Sequence, residues 1–182
     1  MKKQALIIID VQNDYFKGGK MELVNPEAAA ANISRVLGKS RREGVPVVYI
    51  QHIAMDPAAG FLVMNTPGID INEAVVPVAG EQVIVKQYPN SFRETALHEY
   101  LQKKGITDLV ITGMMTHVCV DATTRAAKDL GYNCTVVSDA CATRALEVDG
   151  ETVEASQVQK AFMGSLAFYY AEVETTERFI AG

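Results

Sequence analysis

One cysteine, Cys119, lies where the sequence changes from a strand pattern to a helix pattern, and this position suits a nucleophile. Residues 109–112 have the pattern of a buried strand, and residues 116–130 have the periodicity and small side chains of a helix. If Thr116 caps that helix, Cys119 is in its first turn, where unpaired N–H groups and the helix dipole favour a thiolate. The same N–H groups would stabilise an oxyanion. The alternative interpretation is a small buried thiol under the helix.

Two further reactive side chains follow predicted strands. Asp10 ends the apolar run at residues 5–9, and Lys86 ends the run at residues 83–85. Active sites of parallel α/β sheets lie beyond the carboxyl ends of the strands, so both side chains are expected at the same edge as Cys119. There Asp10 would accept the thiol proton, and the Lys86 ammonium would stabilise the thiolate and hold Asp10 in place. Taken alone, Asp10 would be a loop cap and Lys86 a surface charge.

Apolar runs of strand length alternate with helical segments along the chain. This alternation predicts an α/β fold, a single doubly wound domain over residues 1–182 with a mostly parallel sheet and helices on both faces. A long excursion at residues 51–80 interrupts the alternation, and long loops of this kind are often functional. The predicted strands are 5–9, 45–50, 83–85, 109–112 and 133–137, with a short edge strand at 170–173, and the predicted helices are 26–43, 95–104, 116–130 and 151–168.

The bulk composition restricts the kinds of partner. The chain has 182 residues, of which 48% are hydrophobic and 21% charged, and a formal net charge of −5, which gives no electrostatic basis for binding nucleic acid or an anionic membrane. The three cysteines have no paired spacing, so no disulfide framework is predicted and a cytoplasmic location is expected. No glycine-rich nucleotide motif follows a predicted strand. The expected partner is therefore a small-molecule substrate.

Three ordered sequence blocks resemble the signature motifs of the isochorismatase-like cysteine hydrolase superfamily. They are Asp-Val-Gln-Asn-Asp-Tyr-Phe at residues 10–16, Lys-Gln-Tyr-Pro-Asn-Ser-Phe at 86–92 and Gly-Met-Met-Thr-His-Val-Cys-Val at 113–120. The Asp-Ala pair at residues 139–140 also fits, and the match extends over nearly the whole chain. The resemblance implies a three-layer α/β/α sandwich of Rossmann-like type with a six-stranded, mostly parallel sheet. It also implies a homo-oligomer, either a dimer or a tetramer.

The resemblance also implies roles for individual residues. It implies a catalytic triad of Asp10, Lys86 and Cys119, a cis peptide bond between Met114 and Met115, and an oxyanion hole formed by the N–H groups of Met115 and Cys119. The implied reaction is hydrolysis of an amide-type C–N bond. Cys119 attacks the carbonyl and Asp10 protonates the leaving amine, which leaves a thioester on Cys119 that water then hydrolyses. Two alternatives remain, namely vinyl ether hydrolysis of the isochorismatase type and a non-catalytic binding module on the same fold.

Four residues next to the motif blocks are candidates for the substrate pocket. Asn13 would orient the catalytic acid or a substrate carbonyl, and Phe16 would form an apolar wall. Ser91 and Phe92 would line the site just past the predicted lysine. For the aromatic side chains, packing in the core is at least as good an interpretation. The apolar residues 61–64 lie in the long excursion and are interpreted as a lid or a subunit contact.

The histidines do not match the metal site found in some members of the superfamily. Several members are nicotinamidases, which resemble each other in carrying an Asp-x-His and further histidine ligands after the second strand. In that region this chain has only His52, with Asp56 and Asp70 well separated. His52 is therefore interpreted as a pocket or loop histidine. Nicotinamidase activity is not expected, and neither a metal nor another cofactor is predicted. Cys141 is interpreted as a bystander thiol near the same sheet edge.

Overall fold

The computed structural model describes residues 3–182, which contain eight strands and five α-helices. The strands are β1 (Gln4–Ile9), β2 (Val47–His52), β3 (Gln82–Lys86), β4 (Asp108–Met114), β5 (Asn133–Ala142), β6 (Leu146–Val148), β7 (Glu151–Val153) and β8 (Glu172–Glu174). The helices are α1 (Pro26–Arg42), α2 (Leu97–Lys104), α3 (Asp121–Asp129), α4 (Ala155–Tyr169) and α5 (Thr176–Ala181).

Six strands form one sheet in the order β3-β2-β1-β4-β5-β8, and every neighbouring pair is parallel. The central strands are apolar and buried on both faces, as parallel sheets between helical layers require. The chain adds strands outward from β1 to β3 and then from β4 to β8. The strand order therefore reverses between β1 and β4, which is the place where doubly wound sheets bind their ligands.

Helices cover both faces of the sheet, so the predicted three-layer α/β/α fold is confirmed. On one face, Ile33 of α1 belongs to the same apolar cluster as Leu6 of β1, and α5 packs beside α1. On the other face, Leu101 of α2 and Met163 of α4 share a cluster with Ile7 of β1. Among residues 3–182, no helix is both long enough and apolar enough to cross a membrane.

The region around α4 differs from the prediction of a helix at residues 151–168. Residues Glu151–Val153 form strand β7, which pairs antiparallel with β6 in a separate two-stranded sheet. The helix α4 begins only at Ala155, because Glu154 caps it in a reciprocal arrangement with the side chain of Gln157. The short helix α5, which follows an N-cap at Thr175, was not predicted.

The predicted helix at residues 116–130 is divided into two parts. Residues Thr116–Val120 form a π-helical turn, and the α-helix α3 starts at Asp121. The hydroxyl group of Thr116 does not cap the helix, because it bonds instead to the carbonyl of Ala142 and to the side chain of Gln159. Cys119 therefore lies in a π-helical turn ahead of α3, and the prediction that Thr116 is the N-cap is wrong.

The excursion at residues 51–80 packs onto the body of the molecule. Leu62 is almost completely buried, and its N–H group donates to Asp14 Oδ2 at 2.6 Å. Ile71 forms an isolated antiparallel bridge with Gln12. Leu62 is thus a core residue rather than part of a lid, whereas Met64 is partly exposed.

Candidate active site

The carboxyl ends of β1, β3 and β4 bring the three candidate catalytic side chains together. Asp10 directly follows β1, Lys86 is the last residue of β3, and Cys119 lies in the π-helical turn after β4. Lys86 Nζ is 2.8 Å from Asp10 Oδ2 and 3.3 Å from Cys119 Sγ. All three side chains are buried. The structure therefore places them in mutual contact at the edge of the sheet where the strand order reverses.

The backbone at this edge has two features that only certain residues allow. Asp10 has a φ of 49°, in the left-handed region, where aspartate is among the few non-glycine residues found often. Gly113 has a φ of 128°, and a Cβ atom there would overlap the backbone of Ile9. A glycine is therefore required where β4 approaches the end of β1, just before the turn that carries Cys119.

Lys86 reaches Asp10 across the end of β2, because β2 lies between β3 and β1 in the sheet. The last residue of β2 is His52, which is paired in register with Lys86. Lys86 Nζ lies 3.2 Å from His52 Nδ1 and donates to the carbonyl of Tyr88 at 3.0 Å. His52 is thus the last residue of a strand and touches the candidate lysine, which sequence reasoning did not anticipate.

Gln12 fixes the position of His52 through its side-chain amide. Its Nε2 group donates to the carbonyl of His52 at 2.9 Å, and its Oε1 accepts the N–H group of His52 at 2.8 Å. The same Nε2 group donates to the carbonyl of Ile69 in the excursion at 2.7 Å. Gln12 is completely buried, and its place in the motif block at residues 10–16, two residues after Asp10, was the signal in the sequence that it belongs to the site.

The electrostatic environment keeps Cys119 protonated. Burial raises the pKa of the Cys119 thiol well above its ordinary value, and the nearby Asp10 carboxylate raises it further, although Lys86 acts in the opposite direction. The expectation of a thiolate favoured at a helix N-terminus is therefore wrong for this resting state, since burial and the Asp10 charge outweigh it. Burial alone would lower the pKa of Lys86, but the Asp10 carboxylate and the contact with Cys119 raise it overall, so Lys86 is an ammonium.

Met115 joins β4 to the π-helical turn. The peptide bond between Met114 and Met115 is cis. The carbonyl of Met115 accepts the N–H groups of Val118 and Val120 at 3.1 and 3.2 Å, so this one oxygen anchors the turn around Cys119. The N–H group of Met115, one of the two candidate oxyanion donors, is thereby attached to the same rigid turn as the nucleophile.

Two of the four candidate pocket residues contact other side chains of the protein. Ser91 is completely buried, and its hydroxyl group lies 2.7 Å from the hydroxyl group of Thr123 in α3, so it has no surface to offer a substrate. The ring of Phe92 stacks on the ring of Tyr132 at a centroid distance of 5.9 Å. Ser91 therefore packs beneath the surface, whereas the partly buried Phe92 stays a candidate for the pocket. Phe16 is also buried in the core.

The fourth candidate, Asn13, does line a cavity, of about 380 Å³. Its side chain bonds to Asn72 at 3.0 Å and to the carbonyl of Pro67 at 3.3 Å, both in the excursion. The cavity also includes Lys17, Lys20 and Phe61. Beside it, the ring of Tyr15 packs on Phe61 at 6.1 Å, and burial followed by the charges of Asp10 and Cys119 raises the pKa of Tyr15.

The other two cysteines are buried and inert. Burial raises the pKa of Cys134 and the pKa of Cys141 to about 12. Cys141 borders a second cavity of about 510 Å³, and its thiol donates to the carbonyl of Val137. Across residues 3–182, no group of three or more His, Cys, Asp or Glu side chains is arranged to hold a metal ion.

Comparison with known proteins gives a consistent match. The model of the isochorismatase domain matches residues 4–178. The chain is 49% identical to an uncharacterised isochorismatase family protein of Bacillus subtilis (strain 168), YddQ, over 97% of this chain and 98% of that protein. It resembles the crystal structure of a putative isochorismatase hydrolase from Oleispira antarctica, with a TM-score of 0.96 and 47% identity over 100% of this chain and 97% of that one.

A more distant relative has a named activity. The ureidoacrylate amidohydrolase RutB of Variovorax paradoxus (strain S110) is 26% identical over 97% of this chain and 79% of that protein.

Proposed function

This chain belongs to the isochorismatase family of hydrolases, and on that premise we propose that it cleaves an amide-type C–N bond of a small molecule through a thioester on Cys119. The observation that carries the proposal is the buried contact of Lys86 Nζ with both Asp10 Oδ2 and Cys119 Sγ. The activity named for the ureidoacrylate amidohydrolase supports amide chemistry in particular, since that relative aligns with nearly the whole chain.

The reaction starts with proton transfer from the Cys119 thiol to Asp10. The Asp10 carboxylate forms an ion pair with Lys86 through Oδ2, and within residues 3–182 its Oδ1 has no hydrogen-bond partner. It therefore has free lone pairs in a buried site, where such atoms are rare and often functional. As the proton leaves, Lys86 stabilises the new thiolate electrostatically across 3.3 Å.

The thiolate then attacks the substrate carbonyl carbon, and the electron pair of the C=O bond moves onto oxygen. The N–H groups of Met115 and Cys119 hold this oxyanion. When the tetrahedral intermediate collapses, the C–N bond breaks, and the proton on Asp10 passes to the leaving nitrogen. The amine departs, and the acyl group stays on Cys119 as a thioester.

Hydrolysis of the thioester reverses the proton movements. Asp10, again a carboxylate, takes a proton from water, and the hydroxide attacks the acyl carbon. The C–S bond breaks, the acid product leaves, and Asp10 returns the proton to the Cys119 sulfur. Because the three reacting side chains are buried, the proposed substrate is a small molecule.

The proposal is tested with a cysteine variant and a matched control on a panel of small amides, ureides and carbamoyl compounds. Cys119→Ala is expected to abolish hydrolysis while the fold is retained, and Cys134→Ala to keep it, because Cys134 is a buried thiol away from Asp10 and Lys86. Mass spectrometry of wild type quenched during turnover should show the substrate acyl mass on the peptide containing Cys119. Near-wild-type hydrolysis by Cys119→Ala would refute the proposal.

A further inference from the structure

The ammonium group of Lys86 has more hydrogen-bond acceptors around it than it has hydrogens. Four acceptor atoms lie within 3.3 Å of Nζ, namely Asp10 Oδ2 at 2.8 Å, the Tyr88 carbonyl at 3.0 Å, His52 Nδ1 at 3.2 Å and Cys119 Sγ at 3.3 Å. A lysine ammonium has three N–H donors and no acceptor. At any moment, therefore, one of the four atoms lacks a full hydrogen bond from Lys86.

In the resting site, Cys119 is the atom that can do without this hydrogen bond. Its thiol is held protonated by burial and by Asp10, and a neutral thiol sulfur is a weak acceptor. The three N–H groups of Lys86 can then serve Asp10, Tyr88 and His52. Because an ammonium only donates, His52 Nδ1 is the acceptor in this contact, which means that the neutral ring carries its hydrogen on Nε2.

Formation of the thiolate changes this distribution, since a charged sulfur needs an N–H group of its own. The Asp10 carboxylate is the closest acceptor, and the Tyr88 carbonyl is closer to Nζ than the imidazole is. Building on the function proposed above, we infer that His52 is a positioning residue, which accepts the third N–H group of Lys86 while Cys119 is a thiol and loses it when Cys119 becomes a thiolate.

The surroundings of His52 support an exchange of this kind. Both backbone polar groups of His52 bond to the Gln12 amide, which fixes its main chain and limits how far its ring can reach. Lys86 on β3 and Asp10 after β1 are the charged groups that face it, and burial followed by the Lys86 charge lowers the pKa of His52, which keeps the ring neutral. Since both acceptors already lie within 3.3 Å of Lys86 Nζ, the exchange needs only a rotation of the ammonium group.

A pair of substitutions tests this inference. His52→Leu removes the acceptor, so the thiolate no longer competes for an N–H group. The pKa of Cys119 should fall by about one unit. At a given pH below that pKa, the fraction of Cys119 present as thiolate should then be about tenfold larger. His52→Asn offers an amide oxygen near the position of Nδ1 and should leave the pKa of Cys119 close to that of wild type. The thiolate fraction is read from the Cys119 ¹³Cβ resonance in cysteine-labelled protein, which does not depend on reagent access.

An unchanged pKa of Cys119 in His52→Leu, or an equal fall in both variants, would overturn the inference. A measurement on the wild type covers the case in which a variant fails to fold. In ¹⁵N spectra, His52 Nδ1 should be the unprotonated nitrogen at neutral pH, and its resonance should begin to shift together with the Cys119 ¹³Cβ resonance as pH rises. That common shift should vanish in Cys119→Ala. A protonated Nδ1 at neutral pH, or a shift that persists in Cys119→Ala, would refute the exchange.

These titrations need no substrate, so they separate the inference from the proposed function. Coupled titration without hydrolysis of any amide would contradict the function alone. Hydrolysis through Cys119 without coupling to His52 would contradict the inference alone.

Discussion

At the scale of single residues, the site depends on one buried ion pair. Asp10 and Lys86 both have side chains with no exposed surface, and their charged atoms are 2.8 Å apart. Removing one partner of such a pair leaves the other charge buried and uncompensated, which destabilises a protein far more than replacing both. The ion pair therefore connects the stability of the fold to the chemistry of Cys119.

This connection predicts a separation of stability from activity. Lys86→Met should destabilise the protein by about 3–5 kcal/mol, because it strands the Asp10 carboxylate, and should lower kcat/KM by about 10²-fold or more. The double variant Asp10→Asn with Lys86→Met should recover most of the stability and none of the activity. Urea unfolding and hydrolysis assays measure the two effects. Equal destabilisation in the single and double variants would show that charge compensation is not the cause.

At the scale of elements, hydroxyl groups attach the segment after β3 to α3. The backbone N–H and the hydroxyl of Ser91 both contact Thr123 Oγ1, at 3.0 and 2.7 Å. Since Thr123 lies one turn beyond Cys119, this contact sets the distance between the end of β3 and the π-helical turn. Ser91 thus has a structural role close to the site rather than a role in binding substrate.

Replacement of Ser91 distinguishes these two roles. Ser91→Ala should lower the free energy of unfolding by about 1–2 kcal/mol, since it removes a buried hydrogen bond, and should leave KM unchanged. In a double variant with Thr123→Ala, the two losses of unfolding free energy should be clearly less than additive, because both substitutions remove the same contact. Ser34→Ala, at an exposed position of α1, serves as the control for a hydroxyl without such a contact. A raised KM in Ser91→Ala with normal stability would restore the pocket interpretation.

The sequence predicted the sheet well because its strands are continuous apolar runs, such as residues 5–9, which only a parallel sheet buries on both faces. The sequence could not reveal that His52 touches Lys86. That contact depends on β2 lying between β3 and β1, and local periodicity does not determine the order of strands in a sheet. The hairpin β6–β7 was missed for a related reason, since its strands are three residues each and too short for a period.

At the scale of the whole molecule, several buried groups hold their protons more tightly than they would in an unfolded chain. Burial raises the pKa of all three cysteine thiols, and the Asp10 carboxylate and the contact with Cys119 raise the pKa of Lys86 despite its burial. At alkaline pH the unfolded chain therefore binds fewer protons than the native state. Stability must fall as pH rises wherever this difference exists.

The pH range of this loss follows from the thiols. Their contribution is fully present below the unfolded thiol pKa of about 8.5 and is lost above it, at roughly 1.4 kcal/mol per pH unit for each thiol. For Cys134 and Cys141 the loss continues to a pKa of about 12. Urea unfolding between pH 7 and 10 should show that the free energy of unfolding declines. In Cys134→Ala this decline should be less steep, because one of the three buried thiols no longer contributes to it. A stability that stays constant over this range would contradict the assignment.

The protonated state of Cys119 also affects how the molecule meets oxidants. Peroxides and electrophiles react with thiolates and hardly with neutral thiols, and none of the three cysteines is both ionised and exposed at rest. In the proposed mechanism, the Cys119 thiolate exists only while Asp10 holds its proton, next to a bound carbonyl compound. A reagent that is not shaped like the substrate would therefore meet only buried, protonated thiols among the cysteines.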